Sequence, residues 1–216
     1  MSRGLKCIIF DMDGTLVDSE KIYLAGFKHA FEQAGIRVDE ANLKVFCGMS
    51  GEDELNEIDK FTNDREATNH VFETMITYCH REFSASRVEL KANAERLLAH
   101  CKSQGLKIGL ATSSYKDSAT ALLEKLGILD YFEFLVFGDE VSTPKPDPMI
   151  YHLAVHRSGF EGDGCLVVED SFSGVTAARE ALLAVIQICD DIRPVDFATY
   201  HVYDLSEILP IIDKLV

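Results

Sequence analysis

The strongest constraint on the fold is a short apolar run that ends in two closely spaced aspartates. Residues 5–10 read Leu-Lys-Cys-Ile-Ile-Phe, a run rich in β-forming residues and too short for a helix. Such a run predicts a buried central strand of a parallel sheet. Asp11, Asp13 and Gly14 follow where this strand ends. Because open α/β sheets bind ligands at the carboxyl ends of their strands, the same stretch predicts a functional site.

The spacing of the two aspartates suggests what this site does. Side chains alternate along an extended chain, so Asp11 and Asp13 are predicted to project to the same side. Two carboxylates this close would repel and raise each other's pKa, and a hard cation such as Mg²⁺ would relieve that repulsion. Gly14 would permit a sharp turn and let its backbone amide bind an anion. Taken alone, the stretch could also be an acidic surface turn.

Composition narrows the possible partners. The chain has 21 Lys and Arg against 36 Asp and Glu, a formal net charge of −15. No basic stripe is visible, so we expect no nucleic-acid partner and no anionic membrane partner. The six cysteines form no Cys-x-x-Cys pair, which favours reduced thiols. With no apolar run that approaches a membrane span, we expect a cytoplasmic protein, and we expect it to be a monomer.

A helical segment interrupts the chain after the first strand. Apolar residues recur at three-to-four spacing over 19–34 and 64–83, and 39–58 is also predicted as an amphipathic helix. We therefore predict an all-helical inserted domain over 18–86, with a catalytic core formed by 1–17 and 87–216. A loop inside the insertion is its best candidate for substrate contact, the alternative being an ordinary interhelical turn; its candidate residues are Cys47, Gly48, Met49 and Ser50.

Strands and helices alternate in the rest of the chain. Short apolar runs predict strands at 106–111, 134–137, 166–168, 184–188 and 201–202. Amphipathic patterns predict helices between them, including 92–104, 117–126, 174–181 and 206–215. This alternation is typical of an α/β fold, a doubly wound parallel sheet with helices on both faces.

Three polar groups follow later strands or open a helix. Thr112 and Ser113 come directly after the second strand, and Glu169 and Asp170 end the strand at 166–168. Lys145 stands between two prolines at the entrance of a helix. Each signal alone is weak, because Thr-Ser-Ser is a common loop or N-cap and a lysine in a proline turn is usually exposed.

Together with the first stretch, these groups resemble the four motifs of the haloacid dehalogenase superfamily. Asp-Met-Asp-Gly-Thr at 11–15 resembles the first motif, and the others follow in the family's order. The resemblance implies that Asp11 is a nucleophile that forms an aspartyl phosphate. It implies that Asp13 is the general acid and base, which protonates the leaving oxygen and later activates water.

The resemblance also implies a phosphate site and a metal site. The Thr112 hydroxyl and the Ser113 amide would hold the phosphoryl group, and Lys145 would pair with the nucleophile and the phosphoryl oxygens. Mg²⁺ would be the cofactor. Its direct ligands would be Asp11, Asp170 and the backbone carbonyl of Asp13, and Glu169 would bind through water.

Within the family, β-phosphoglucomutases and neighbouring sugar-phosphate phosphatases look most similar. Such mutases carry a histidine where this chain has Tyr23, and a basic residue where it has Gly51. A mutase must hold a second phosphate, so the sequence favours a phosphatase acting on a small phosphomonoester, with Tyr23 as a further substrate contact. A mutase is the alternative. A second alternative is a catalytically idle binding protein of the same fold. The intact motif residues argue against it.

Overall fold

A computed structural model describes residues 4–46, 52–84, 88–189 and 194–216. The chain divides into two compact units: Met1–Val17 with Leu90–Val216, and Asp18–Glu89. Among the described residues, no helix is both long enough and apolar enough to cross a membrane.

All regular elements in the described part of the smaller unit are helices. Its helices are α1 Glu20–Gln33, α2 Glu40–Leu43, α3 Glu52–Thr62 and α4 Arg65–Ser84. The apolar face predicted for α4 is buried at Val71, Met75 and Cys79. Phe27 and Phe31 of α1 are buried as well. The amphipathic patterns of both helices are therefore confirmed by their burial.

One helix of this unit differs from its prediction. The helix predicted over 39–58 is interrupted, because α2 ends at Leu43 and a 3₁₀ turn occupies Lys44–Phe46. The turn brings the Phe46 ring onto the Phe27 ring, with centroids 4.1 Å apart. Burial of Phe46 among aromatic rings thus outweighs continuation of the helix. The next helix, α3, runs on to Thr62, beyond the predicted end.

The larger unit is built on a six-stranded parallel sheet in the order β3-β2-β1-β4-β5-β6. The strands are β1 Cys7–Phe10, β2 Lys107–Ala111, β3 Phe134–Val136, β4 Cys165–Glu169, β5 Ala184–Ile188 and β6 Tyr200–Val202. In β1, Ile9 pairs with Gly109 on one side and Val167 on the other. All four β1 residues have no solvent exposure. The predicted doubly wound sheet with a buried central first strand is confirmed.

Helices flank this sheet: α5 Ala94–Ser103, α6 Lys116–Lys125, α7 Met149–Ser158, α8 Phe172–Glu180 and α9 Leu209–Leu215. Helices α7 and α8 pack over Ile9 and Val167. Helix α8 begins two residues before its predicted start, because the Ser171 hydroxyl accepts the Gly174 N–H and caps it. The helix predicted over 206–215 begins as a 3₁₀ turn, Leu205–Ile208, and continues as α9.

Candidate active site

A buried lysine lies between two carboxylates at the carboxyl ends of β1 and β4. Lys145 Nζ is 2.6 Å from Asp11 Oδ1 and 2.6 Å from Glu169 Oε1, and it donates to the Ala111 carbonyl at 3.1 Å. Only 5% of the lysine side chain is exposed. Lys145 is therefore a fixed internal charge, in contrast to the exposed turn lysine that its proline-rich surroundings would suggest.

Glu169 is the anchor of this arrangement. Its Oε1 accepts from Lys145 and, at 2.6 Å, from the hydroxyl of Tyr151. Its Oε2 accepts from the backbone N–H of Asp170 and from the N–H and hydroxyl of Ser171. With five donors and no solvent exposure, the Glu169 carboxylate is held in one orientation and in turn holds Lys145. Tyr151 was not predicted from the sequence. The only indication of its burial is that it shares the apolar face of α7 with Ala154.

Asp13 has a different partner from Asp11. The chain leaves β1 at Phe10 and turns, and Asp13 Oδ2 accepts a hydrogen bond from the Ser114 hydroxyl at 2.8 Å. The carboxylates that raise the pKa of Asp11 are Glu169 and Asp170. The expectation that Asp11 and Asp13 raise each other's pKa stays a prediction. Sequence reasoning also missed Ser114.

The loop after β2 is fixed by its own hydrogen bonds. Thr112 is buried, and its hydroxyl oxygen accepts the Ser114 N–H at 3.0 Å. The Gly138 N–H donates to the Ser114 carbonyl at 3.0 Å. A Cβ atom on Gly138 would lie 2.1 Å from the Ser113 carbonyl oxygen, so only glycine allows this approach. Ser113, between Thr112 and Ser114, is exposed.

Three carboxylates form a cluster suited to a cation. One oxygen each from Asp11, Glu169 and Asp170 lie within 4.8 Å of one another. Burial and the neighbouring Glu169 raise the pKa of Asp11 well above its usual range, and the same causes raise the pKa of Asp170 to about 7. Lys145, together with Lys91 near Asp170, lowers these pKa values but does not offset burial and the neighbouring carboxylate. An all-oxygen set with this deficit of positive charge fits a hard divalent cation such as Mg²⁺.

Gly14 makes room for this cluster. Its backbone has φ +76°, and a Cβ atom there would lie 1.9 Å from Asp170 Oδ2. The Gly14 N–H donates to the Val17 carbonyl at 3.0 Å. The N–H thus closes the turn, and the missing side chain admits the Asp170 carboxylate. Binding of phosphate by Gly14 stays a prediction.

The substrate contacts predicted in the smaller unit remain predictions. Tyr23 is half-buried on α1, and its ring meets that of Phe83 edge-on at 5.7 Å between centroids. The predicted loop residues Cys47, Gly48, Met49 and Ser50 lie outside the described residues, as does Gly51.

Comparison with known families accounts for this arrangement. Residues 8–188 match the family described as haloacid dehalogenase-like hydrolase, a span that runs from β1 to β5. The chain belongs to the haloacid dehalogenase-like hydrolase family. The family resemblance predicted from the four motifs is thus confirmed, and with it the assignment of the protein to a family of enzymes.

Individual proteins are similar to this chain in sequence or structure. The hydrolase is 31% identical to a phosphorylated carbohydrates phosphatase of Thermotoga maritima over 177 residues, which is 82% of each chain. It is 29% identical to a β-phosphoglucomutase of Bacillus subtilis over 183 residues, 82% of this chain and 80% of the relative. Among solved structures, a hydrolase from Pseudomonas syringae superposes with a TM-score of 0.78 at 26% identity, over 98% of this chain and 99% of its own.

Proposed function

We propose that this haloacid dehalogenase-like hydrolase is a Mg²⁺-dependent phosphatase that acts on a small phosphomonoester, with sugar phosphates as the first class of substrate. The observation that carries the proposal is the buried Asp11–Lys145 pair at the end of the central strand, 2.6 Å apart. Beside it Asp13 is held separately by Ser114. The site thus presents one carboxylate paired with a cation and a second carboxylate in a different environment, as a nucleophile and an acid–base group require.

The two aspartates divide the reaction between them. In the first step an Asp11 oxygen attacks phosphorus, the bond from phosphorus to the ester oxygen breaks, and the leaving oxygen takes a proton from Asp13. In the second step Asp13 takes a proton from water as the water oxygen attacks phosphorus. The bond from phosphorus to Asp11 then breaks, inorganic phosphate leaves, and both aspartates return to their initial state.

The remaining residues position the phosphoryl group and balance its charge. Lys145 neutralises the phosphoryl oxygens, and the Thr112 hydroxyl with the Ser113 amide binds them. Asp11, Asp170 and the Asp13 carbonyl would hold Mg²⁺ directly, and Glu169, whose oxygens are already hydrogen-bonded, would reach it through water. Bound there, Mg²⁺ supplies charge compensation for the clustered carboxylates and the incoming phosphate.

The second candidate is a mutase of the β-phosphoglucomutase type. It is favoured by the similarity to the Bacillus subtilis β-phosphoglucomutase. Against it, Tyr23 and Gly51 provide no cation at the two positions where the related mutases have one, and a second phosphate needs such cations. We further propose that the helical insertion predicted over 18–86 acts as a cap that excludes bulk water during the reaction.

The phosphatase proposal is tested by phosphate release from p-nitrophenyl phosphate and from a panel of sugar phosphates. Asp11→Asn should lower the rate by about 10³-fold or more, because the attacking charge is lost. Asp117→Asn, an exposed position on α6, is the matched control and should behave as wild type. A near-wild-type rate for Asp11→Asn, or activity that survives exhaustive dialysis against EDTA, would contradict the proposal.

Phosphatase and mutase are separated by feeding β-glucose 1-phosphate with a trace of the 1,6-bisphosphate. Products are followed by phosphorus NMR. Release of inorganic phosphate from this or another sugar phosphate supports hydrolysis, whereas glucose 6-phosphate that accumulates faster than inorganic phosphate establishes the mutase.

A further inference from the structure

Ser114 links the loop after β2 to the second aspartate, across 101 residues of sequence. Its hydroxyl donates to Asp13 Oδ2 at 2.8 Å in a partly buried position. Nothing in the predicted phosphate site or metal site requires this contact, since those roles fall to its neighbours Thr112 and Ser113. The hydrogen bond therefore calls for an explanation of its own.

The backbone of Ser114 is held at both of its polar groups. The N–H donates to the Thr112 hydroxyl oxygen at 3.0 Å, and the carbonyl accepts from the Gly138 N–H at 3.0 Å. The absence of a side chain at Gly138 lets the two loops approach this closely. Because the backbone is fixed, the Ser114 hydroxyl can occupy only a few positions. Its hydrogen bond therefore restricts the orientation of the Asp13 carboxyl.

We propose that Ser114 is the positioning residue of Asp13, and that its hydroxyl aims the Asp13 carboxyl at the leaving oxygen of the substrate. The inference rests on the proposed function and deepens it. A hydroxyl suits this task because it can both donate and accept. It donates to Asp13 when the proton has gone to the leaving group, and it can accept from Asp13 when the proton is present, so the contact persists through both steps.

The proposal also bears on the class of substrate. An alkyl phosphate, such as a sugar phosphate, releases a strongly basic alkoxide that needs a proton as its bond to phosphorus breaks. A p-nitrophenyl ester releases a stable phenolate that does not. A hydroxyl that orients the acid is therefore useful to an enzyme that hydrolyses alkyl phosphomonoesters. Removal of this hydroxyl should lower the rate for those substrates selectively.

The experiment compares kcat/KM for two substrates in Ser114→Ala and wild type. This constant reports the steps up to formation of the phosphoenzyme, in which Asp13 acts as an acid. General acid catalysis contributes about 10²- to 10⁴-fold, so misdirection of the acid should lower kcat/KM for the best alkyl phosphate by about 10- to 100-fold. For p-nitrophenyl phosphate the change should stay within about threefold. Partial unfolding lowers both values alike, so the ratio remains informative if the variant is less stable.

Two further variants complete the test. Ser114→Thr keeps the hydroxyl and should restore the alkyl-phosphate value to within about fivefold of wild type. Ser118→Ala removes an exposed hydroxyl on α6 and should leave kcat/KM unchanged for both substrates. Equal losses for both substrates, no loss at all, or a raised KM with unchanged kcat would overturn the positioning role, the last because it would indicate a direct substrate contact. The proposed function fails separately, if wild type releases no phosphate or Asp11→Asn remains active.

Discussion

At the scale of single residues, Tyr151 is a neutral neighbour that contacts two buried charges of the candidate site. The tyrosine is fully buried, its hydroxyl donates to Glu169 Oε1 at 2.6 Å, and Lys145 Nζ lies 5.2 Å from the centre of its ring. Burial raises the pKa of Tyr151 well above its usual value, so the hydroxyl keeps its proton and remains a donor. Tyr151 thus stabilises the carboxylate that fixes Lys145.

Tyr151→Phe should test this role, because it removes one hydroxyl and keeps the ring. A buried carboxylate that loses a donor is less stable by about 1–3 kcal/mol, and we expect the free energy of unfolding in urea to fall by that amount. Tyr203→Phe, at a tyrosine that is 62% exposed, is the control and should leave the stability unchanged. A loss below about 0.5 kcal/mol for Tyr151→Phe would show that the hydrogen bond adds little.

Sequence alone could indicate some of these residues but not others. Asp11, Glu169 and Asp170 stand out because each directly follows or ends a short apolar strand. Ser114 and Tyr151 gain their roles only from contacts with distant parts of the chain, and each is unremarkable in its own segment. For Gly14 the backbone amide was considered, and the space that its missing side chain leaves for Asp170 was not.

At the scale of elements, the start of α8 is shaped by the carboxylate beneath it. Gly174 is buried in the first turns of this helix, where alanine would ordinarily be the better helix former. A Cβ atom at this position would lie 1.9 Å from Glu169 Oε1. The glycine is therefore required by packing against the site and not by the helix itself.

Gly174→Ala should consequently reverse the usual sign of a glycine-to-alanine change in a helix. We expect a loss of about 1–3 kcal/mol in the free energy of unfolding, typical of an overpacked site, together with lower phosphatase activity. Gly164→Ala is the matched control, because a Cβ atom there makes ordinary contacts with Lys6 at 3.6 Å or more. A stabilised and fully active Gly174→Ala protein would refute this account.

An ion pair joins the 3₁₀ turn Gly138–Glu140 to α7 and makes their docking sensitive to pH. Glu140 accepts two hydrogen bonds from the Arg157 guanidinium, at 2.7 and 2.9 Å, and one from the Phe137 N–H. The hydrogen bonds from Arg157 are the main cause of the lowered pKa of Glu140. Because this pKa is lower in the folded state, the ionised pair stabilises the fold above the unfolded value of about 4.3. The contribution is lost as the pH falls through the folded-state value.

Glu140→Gln measures the pair directly. At pH 7 the variant should be less stable than wild type by about 0.5–1 kcal/mol, the range for a partly exposed ion pair. The difference should narrow as the pH falls below about 4, because Glu140 of the wild type then becomes neutral. Urea unfolding from pH 7 to pH 3.5 follows this change, and a gap of constant size across the range would rule out the ion pair as its source.

At the scale of the whole molecule, the alternation of strands and helices was enough to predict a doubly wound sheet. The order of the strands was not predicted, because it depends on pairings between distant segments, such as Cys7 with Lys107 and with Cys165. A loop was predicted just after Phe46, but the earlier break at Lys44–Phe46 was not, since Phe46 leaves the helical path to reach Phe27. Local patterns thus indicate the class of element, and long-range contacts decide where elements end and pair.

The central position of β1 has a consequence for the order in which the protein is made. Of the six described strands of the sheet, β1 leaves the ribosome before the others, yet its partners begin only at Lys107 and Cys165. Until β4 has been synthesised, one edge of a fully apolar strand keeps its backbone groups unpaired, which is a state prone to aggregation. Asp11 is synthesised directly after β1, but the lysine that pairs with it follows 134 residues later. A nascent chain therefore carries an unpaired apolar strand long before the Asp11–Lys145 pair can form, which favours early protection of that strand by chaperones.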